Sequence, residues 1–386
     1  MLAIIKYLTA GESHGKGLLG ILDGLPAGLK INEKFIAQDL FRRQQGHGRG
    51  GRMKIEKDYA EIYTGIRHGR SLGSPIGLII PNKDFENWIE KMSTEPVNKQ
   101  IKKVTLPRPG HADLSGVQKY DFEDIRNILE RSSARETTMR VALASICRKF
   151  LREVGIEVGS RVIQIHTIKD KTLLSEFISP DSLSKKADKS PVRCLDKKVE
   201  KKMIDAIDKA KKAGDSLGGI FEIIASGLPY GLGSHTQWDK KLHARITESI
   251  MSVNAFKGIE IGIGFEAARR LGSAVHDEIG WDGKKYIRYS NNAGGIEGGM
   301  SNAQPIVIRA IMKPIPTLIK PLRSVDIVSK KDKLAHKERT DSCSVPAGSI
   351  VAEAMLCFVL ADAILEKFGG DTMAQLKAHI QASGRY

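Results

Sequence analysis

The chain has 386 residues, of which 41% are apolar and 6% aromatic, a composition typical of a soluble globular protein that can bury a large core. No uninterrupted apolar run approaches the roughly 18 residues that a membrane-spanning helix needs. The formal net charge of +16 calls for either a polyanionic partner or a solvated basic surface.

The predicted elements begin with a strand at residues 4–9, a glycine loop, a strand at 18–22 and a helix at 32–44. Further strands are predicted at 61–64, 75–80, 155–168, 219–227, 258–263 and 304–312. Further helices are predicted at 121–131, 134–153, 195–213, 239–252 and 349–368. The N-terminus lacks the basic segment, apolar stretch and cleavage site of a signal peptide, so the predicted location is cytoplasmic.

Helices and strands alternate without an obvious boundary, which favours one intertwined α+β domain over residues 1–386, built from layered β-sheets and helices. Within it, residues 82–106 are expected to form a mobile insertion and residues 370–386 a loosely held tail. The four cysteines are far apart and form no C-x-x-C pair, so neither a disulfide framework nor a cysteine zinc site is expected. The histidines have no metal-ligand spacing either, so no metal is predicted.

Two short motifs suggest other enzyme classes but lie in the wrong context. Residues 11–15 match the G-x-S-x-G motif of serine hydrolases, yet only one strand precedes them and no helix follows at once. Residues 262–267 match G-x-G-x-x-A, but the following segment reads as loop and hairpin, not as the βαβ unit of a dinucleotide-binding fold. Neither motif predicts the function.

The segment 131–140, RSSARETTMR, is the most informative part of the chain. Ser133 and Glu136 have the capping-box spacing, so this segment reads as a helix start, where free backbone N–H groups and a partial positive charge favour anions. Arginines and hydroxyls beside such a start add donors that suit phosphate or carboxylate.

Similar polar segments flanked by glycine are scattered over the whole chain, and arginine or histidine lies beside glycine in many of them. Glycine lets backbone approach a ligand closely, and arginine binds planar anions with two parallel hydrogen bonds. If these loops converge, they form a pocket for a small molecule with several phosphates or carboxylates. His14 and His111, each in a glycine turn, would then transfer protons, and Asp341 would act as a base or hold a neighbouring group in place.

The order of these segments resembles that of the chorismate synthase family from about residue 4 to residue 368. The resemblance rests on the following segments: GESHG (11–15), DLFRRQQGHGRGGRM (39–53), RPGHAD (108–113), RSSARETTMR (131–140), GDSLGG (214–219), GLGS (231–234), NAFKGIEIG (254–262), GGIEGGMSN (294–302), KPIPT (313–317) and RTDSC (339–343).

The resemblance implies a lyase that removes phosphate and a ring hydrogen from 5-enolpyruvylshikimate 3-phosphate by 1,4-anti elimination, giving chorismate at the last step of the shikimate pathway. It also implies a requirement for reduced FMN, a homotetramer and a β-α-β sandwich of unusual topology. It leaves open whether NADPH reduces the flavin on this chain or a separate flavin reductase does. No nucleic-acid or membrane partner is implied.

The resemblance also assigns roles to residues. His14 would protonate the departing phosphate, His111 would protonate the reduced flavin, and Asp341 would help to remove a proton through the flavin ring. The implied flavin or nicotinamide contacts are Arg43, Arg49, Arg131, Ser132, Ser133, Asn254, Ala255, Gly298, Lys313, Pro314, Ile315, Pro316, Thr317 and Arg339. The implied substrate contacts are Ser13, Arg43, Arg49, Arg52, Arg108, Arg135 and Arg339.

Two other functions remain as alternatives. The first is a basic nucleic-acid-binding protein, motivated by a pI of about 9.5, although no binding module or stacking pattern is evident. The second is a flavin-binding electron carrier, which would bind the cofactor without consuming the enolpyruvyl substrate.

Overall fold

The computed structural model describes residues 2–51, 56–173, 179–338 and 340–383. The α-helices are α1 (Glu33–Gln44), α2 (Asp113–Tyr120), α3 (Arg126–Leu129), α4 (Thr137–Glu153), α5 (Pro180–Ala187), α6 (Lys197–Lys212), α7 (Leu242–Met251), α8 (Val345–Phe368) and α9 (Met373–Ala382). The strands are β1 (Lys6–Ala10), β2 (Gly17–Asp23), β3 (Glu61–Ile62), β4 (Ile66–Arg67), β5 (Arg70–Ser71), β6 (Ile76–Pro81), β7 (Glu157–Ile165), β8 (Ile168–Lys169), β9 (Gly219–Ser226), β10 (Tyr230–Gly233), β11 (Phe256–Ile261), β12 (Ile279–Trp281), β13 (Tyr286–Arg288), β14 (Ile296–Glu297), β15 (Met300–Asn302), β16 (Ile306–Met312), β17 (Arg323–Val325) and β18 (Asp332–Leu334).

Two antiparallel sheets enclose a layer of helices. One sheet has the strand order β1-β2-β6-β3, and the other has the order β11-β16-β9-β7-β8. Helix α4 packs against the first sheet, α8 packs against the second, and the two helices pack on each other. The predicted α+β fold with a β-α-β sandwich is therefore confirmed.

The central layer forms because α4 and α8 bury most of their side chains, and α8 is apolar on nearly all sides, as expected for a helix covered on both faces. In α8, the described side chains are buried from Val345 to Leu365. Gly20 of β2 lets α4 approach the sheet closely, because a Cβ atom there would lie 2.5 Å from the Met139 side chain. One hydrophobic core runs through both sheets and includes residues from Ile5 to Leu376.

Helix α8 is long and apolar enough to cross a membrane by length and composition, but the fold buries it from Val345 to Leu365. Its two internal acids bind partners instead of facing solvent. Asp362 accepts hydrogen bonds from the backbone N–H groups of Ala3, Ile4 and Ile5, and it pairs with Arg245. The start of the chain is thereby attached to its last long helix, which makes the fold intertwined.

The expected tail at residues 370–386 is wrong for most of its length. Thr372 and Gln375 form a capping box that starts α9, and Leu376 is fully buried in the main core. The sequence analysis also missed α2 and α5, and it extended α3 at both ends. These helices are short, so each offers too few turns for a clear apolar period.

Candidate active site

A cavity of about 780 Å³ opens at one end of the helical layer, in the upper part of the range for small-molecule sites. Its wall is formed by the loop after β1, the C-terminal end of α1, the starts of α4 and α8, and the chain following α7 and β16. The predicted site residues found in this wall are Ser13, His14, Arg43, Arg49, Arg108, His111, Ser132, Ser133, Arg135, Asn254, Ala255, Lys313, Ile315, Pro316, Thr317 and Asp341. Most of the glycine-flanked segments therefore meet at one cavity, but the segment 294–302 does not line it.

His14 is buried and held on two sides. Its Nδ1 lies 3.0 Å from both carboxylate oxygens of Glu130, and its backbone N–H donates to the same carboxylate at 2.8 Å. The indole of Trp88 stacks on the imidazole with ring centroids 4.0 Å apart. Arg126 donates to Glu130 at 2.8 Å, so the carboxylate binds an arginine as well as the histidine.

His111 has a similar arrangement. Its Nδ1 lies 2.6 Å from Oδ1 of Asp113, and Asp113 forms a bidentate pair with Arg108, at 2.8 Å to Nε and 3.0 Å to Nη2. Arg108 also donates from Nη1 to the hydroxyl of Thr317 at 3.0 Å. Burial favours the protonated form of Asp113, but hydrogen bonds from His111 and Arg108 outweigh it and hold the pKa of Asp113 well below its usual range.

Arg43 and Arg135 each present one buried donor that no described neighbour satisfies. Arg43 donates to Ala134 O and to Thr137 Oγ1, and Arg135 donates to Asn82 and Asp58. Among the described residues, Arg43 Nη1 and Arg135 Nη2 have no hydrogen-bond partner, their nearest carboxylates being 3.8 Å and 3.6 Å away. Burial lowers the pKa of Arg43 to about 9; Asp58 opposes this effect, while the like charges of Arg49 and Arg135 add to it.

Asp341 is fixed by three donors. Arg49 Nη1 lies 3.0 Å from its Oδ2, Ser344 Oγ donates to the same oxygen at 2.6 Å, and the backbone N–H of Gly50 donates to Oδ1 at 2.6 Å. The loop after α1 and the start of α8 are thus joined at this carboxylate. Such a carboxylate has a fixed direction, which a base or an orienting group requires.

The opposite wall is largely backbone. Asn254 Nδ2 donates to Ser132 O at 2.9 Å, and the backbone N–H of Lys313 donates to Ala255 O at 2.9 Å. Ala255 has a φ of +69°, a left-handed conformation that is unfavourable for a residue with a Cβ. Lys313 Nζ donates to Gly110 O at 2.6 Å, which links this wall to the loop of His111.

Several predicted contacts are not in the cavity wall. Arg131 donates to Thr9 O, Thr9 Oγ1 and Gly11 O, so it holds the loop after β1 instead of facing the cavity. Gly298 lies between β14 and β15, beside the start of α7, whereas Asn254 follows the end of that helix about 15 Å away. Pro314 is also outside the wall. Arg52 and Arg339 lie outside the described residues.

The capping prediction at Ser133 is half right. Ser133 accepts a hydrogen bond from the backbone N–H of Arg135 at the start of a short 3₁₀ turn that leads into α4. Glu136 does not return to the cap but binds Arg140 at 2.5 Å and Thr9 at 3.4 Å.

The sequence analysis missed Trp88, Glu130 and Asp113. Trp88 belongs to the segment 82–106, which was expected to form a mobile insertion, yet it packs on His14. A single aromatic residue inside a lysine-rich insertion does not produce the apolar periodicity from which helices and strands are predicted. Glu130 and Asp113 could have been found, because each lies directly beside a segment already singled out for its arginines.

The wall is strongly cationic. Its described lysines and arginines are Arg43, Arg49, Arg108, Arg126, Arg135, Lys257, Lys313 and Lys337, and its carboxylates are Glu338 and Asp341. Eight positive charges against two negative ones leave a surplus of six, which suits a ligand or ligand pair carrying several negative charges. In the described ranges, no group of three or more His, Cys, Asp or Glu side chains could hold a metal ion.

Comparisons with known proteins agree with this site. The family model for chorismate synthase matches residues 5–365. Chorismate synthase 2 of Bacillus cereus is 53% identical over 99% of both chains, and chorismate synthase of Aquifex aeolicus is 55% identical over 98% of this chain and 97% of its own. A solved crystal structure of chorismate synthase is 44% identical, covers 99% of this chain and 98% of its own, and superimposes with a TM-score of 0.80.

With the site geometry and these relatives together, the chain belongs to the chorismate synthase family, the lyases that form chorismate at the last step of the shikimate pathway.

Proposed function

We propose that the cavity binds 5-enolpyruvylshikimate 3-phosphate together with reduced FMN, and that His14, His111 and Asp341 carry out the proton transfers of the elimination. The observation that carries this proposal is the surplus of six positive charges on the wall of a cavity that also contains the buried His14 and the half-buried His111. The substrate has one phosphate and two carboxylates, and the flavin adds a second phosphate.

The residues present fit an anionic cofactor beside an anionic substrate. Arg43 Nη1 and Arg135 Nη2 are buried donors without partners among the described residues, and a phosphate or carboxylate oxygen would satisfy both. The wall formed by Ser132, Asn254, Ala255 and Lys313 to Thr317 offers backbone groups and small side chains suited to a flat ring system. We therefore assign this wall to the flavin and the Arg43–Arg135 side to the substrate.

The reaction breaks the C–O bond to phosphate and a ring C–H bond and forms one double bond, so no net oxidation occurs. Reduced FMN held against the wall of Ser132, Asn254 and Lys313 would supply transient one-electron chemistry without net oxidation. His14, oriented by Glu130 and Trp88, donates a proton to the departing phosphate. His111 supplies a proton on the flavin side, and Asp341, fixed by Arg49 and Ser344, receives the proton that the ring loses.

The decisive experiment measures phosphate release from the enolpyruvyl substrate under strict anaerobiosis, with oxidised or dithionite-reduced FMN. Release only with reduced FMN, with chorismate as the product, is expected. Absence of release in both conditions, from folded protein that binds the flavin, would refute the proposal. Adding NADPH in place of dithionite then decides whether this chain reduces its own flavin or requires a separate reductase.

The two histidines are tested by alanine variants. His14→Ala and His111→Ala should each lower turnover by about 10²- to 10⁴-fold, the usual contribution of a general acid or base. The exposed His235 provides a matched control, because His235→Ala removes an imidazole far from any assigned role. Near-normal turnover in His14→Ala or His111→Ala would remove that histidine from the mechanism.

We also propose that the protein is a homotetramer in the cytoplasm. The outer face of the first sheet supports self-association, because Leu8, Leu19 and Ile21 are 74%, 52% and 49% exposed and lie together on the paired strands β1 and β2. A flavin contact from Gly298 would then have to come from another copy. Light scattering should give four times the chain mass, and Ile21→Lys should dissociate the assembly; a monomeric parent protein would contradict this.

A further inference from the structure

We propose that Glu130 and Asp113 are positioning residues, each of which fixes a cavity histidine through its Nδ1 nitrogen while an arginine holds the carboxylate. The inference rests on the proposed roles of His14 and His111 and adds two acids to that site. It defines two matching Arg–carboxylate–His units, Arg126–Glu130–His14 and Arg108–Asp113–His111.

In the first unit, three contacts fix the imidazole. Glu130 reaches Nδ1 and the backbone N–H of His14 at once, so the ring and its own main chain are bound to one carboxylate. Arg126 binds that carboxylate at 2.8 Å from within the same helical turn. Trp88 covers one face of the ring, and both Arg126 and Lys91 lie 4.8 Å from the centroid of this indole.

The second unit uses the same chemistry with a shorter acid. Asp113 is fully buried, holds Nδ1 of His111 at 2.6 Å and accepts two hydrogen bonds from the Arg108 guanidinium. Its carboxylate also accepts the backbone N–H of Arg108 at 3.0 Å. The loop of residues 108–113 is thereby closed on itself, and the imidazole can take few orientations.

Both acids stay ionised in these surroundings. Burial favours protonation of Glu130, but hydrogen bonds from His14 and Arg126 outweigh it, so the pKa of Glu130 lies below its ordinary value. An ionised carboxylate only accepts hydrogen bonds, so Nδ1 must carry the hydrogen and proton exchange with a reactant takes place at Nε2. The tautomer of each histidine is therefore set by its carboxylate.

The carboxylate also affects when His14 is charged, because a nearby negative charge favours the imidazolium. The charged groups around His14 include Glu130 and Arg126 of α3 and its C-terminal end, Lys91 beyond the indole, and Glu338, which lies 3.8 Å from Arg126. Of these, Glu130 is the one in direct contact with the ring. Removing its charge should therefore change the pH dependence of the fluorescence of Trp88, which stacks on this ring.

Trp88 allows this titration to be followed without an activity assay, because a protonated imidazole in contact with an indole quenches its fluorescence. The other tryptophans, Trp238 and Trp281, are exposed and can be replaced by phenylalanine. In a parent carrying Trp238→Phe and Trp281→Phe, the emission of Trp88 is recorded from pH 4 to 9. His14→Asn must abolish the transition, which assigns it to that imidazole.

Glu130→Gln is the test variant, since it keeps the shape of the side chain and removes the charge. We expect the fluorescence midpoint to fall by about one pH unit and kcat to fall by about 10- to 100-fold, with KM within a factor of three. The matched control is Glu123→Gln, the same change at an exposed acid in the same region, and it should alter neither quantity. An unchanged midpoint together with normal kcat in Glu130→Gln would overturn the inference.

Two further results separate this inference from the proposed function. If the parent protein does not release phosphate while the Glu130→Gln midpoint still falls, the proposed function is wrong and the positioning of His14 stands. If Glu130→Gln does not fold, Glu130→Asp replaces it, because it keeps the charge and shortens the reach. That variant should keep the parent midpoint with reduced kcat, and parental kcat would overturn the inference.

Discussion

Arg42 and Arg43 are neighbours in the last turn of α1, yet they lie in opposite electrostatic environments. Arg42 donates to both oxygens of Glu353, at 2.9 Å and 3.0 Å, and also to Asp39 and Asp188. Burial lowers its pKa, but Glu353 and Asp39 more than compensate, so the pKa of Arg42 lies above its ordinary value. Burial lowers the pKa of Arg43 to about 9, and Asp58 compensates only in part.

The difference separates a structural use of arginine from a binding use. Arg42 belongs to a core network in which Arg148 and Arg193 also surround the fully buried Glu353. Burial and the neighbouring Arg42 lower the pKa of Arg193 to about 9, yet its guanidinium donates to Ser349 and Ser160. Among the described residues, Arg42, Arg148 and Arg193 of this network leave no buried donor without a partner, whereas Arg43 retains one for a ligand.

The largest effect is expected on the free energy of unfolding, when the core network around Glu353 is broken. Glu353→Gln removes the one charge that Arg42, Arg148 and Arg193 all contact, and leaves only Asp39 and Asp188 to compensate these buried cations. The free energy of unfolding should fall by about 3–5 kcal/mol, the usual cost of breaking a buried ion pair from one side. Denaturant unfolding measures this, and a loss no larger than that of the surface variant Glu123→Gln would refute the structural role of the network.

Arg43→Met tests whether Arg43, the neighbour of Arg42 that faces the cavity, contributes to activity. It should lower kcat/KM by about 10²- to 10³-fold, as expected for one lost charged donor in a closed site, and should leave unfolding less affected than Glu353→Gln. Arg42→Met is the matched variant: it should destabilise the protein but preserve activity per folded molecule. Equal losses of activity in both variants would show that the two arginines do not differ in function.

The sequence predicted this division only in part. The layered α+β fold followed from long periodic segments, and the cavity followed from glycine-flanked arginines that resemble those of a known family. What sequence reasoning could not separate is Arg42 from Arg43, because both lie in the same RRQQG motif and differ only in the side of α1 on which they project. Decisive partners are far away along the chain: Thr137 is 94 residues from Arg43, and Glu353 is 311 residues from Arg42.

The missed site residues have the same physical cause. Trp88 reaches His14 from a segment without regular period, and Glu130 acts at a position that reads as the polar end of a helix. Gly298 stays a prediction, since α7 separates it from the cavity of its own chain and a flavin contact there would need another copy. Local patterns identify which residues are unusual, whereas tertiary packing decides which of them meet.

Sulfate binding should distinguish the core network around Glu353 from the cavity side around Arg43 without any substrate. A dianion that satisfies the donors of Arg43 and Arg135 binds only the folded protein. Sulfate at ten times its Kd should therefore raise the free energy of unfolding by about 1.4 kcal/mol. Thermal unfolding at constant ionic strength measures this against chloride. The stabilisation should disappear in Arg43→Met and persist in His235→Ala; persistence in Arg43→Met would place the anion elsewhere.

The pH dependence of the stabilisation by sulfate is the smallest expected effect, and it compares Arg43 with Arg42 most directly. Above pH 9 the folded protein loses the Arg43 proton while the unfolded chain keeps it, because the folded pKa is about 9 against an ordinary 12.5. A bound sulfate favours the charged form and raises this pKa, so its stabilising effect is fully present below pH 9 and declines above it. Between pH 8 and 10 the effect should fall by about 1 kcal/mol, whereas Arg42, with a raised pKa, contributes nothing in this window. Subtracting the same titration of Arg43→Met removes the contribution of nearby lysines, and a pH-independent difference would mean that Arg43 is as well compensated as Arg42.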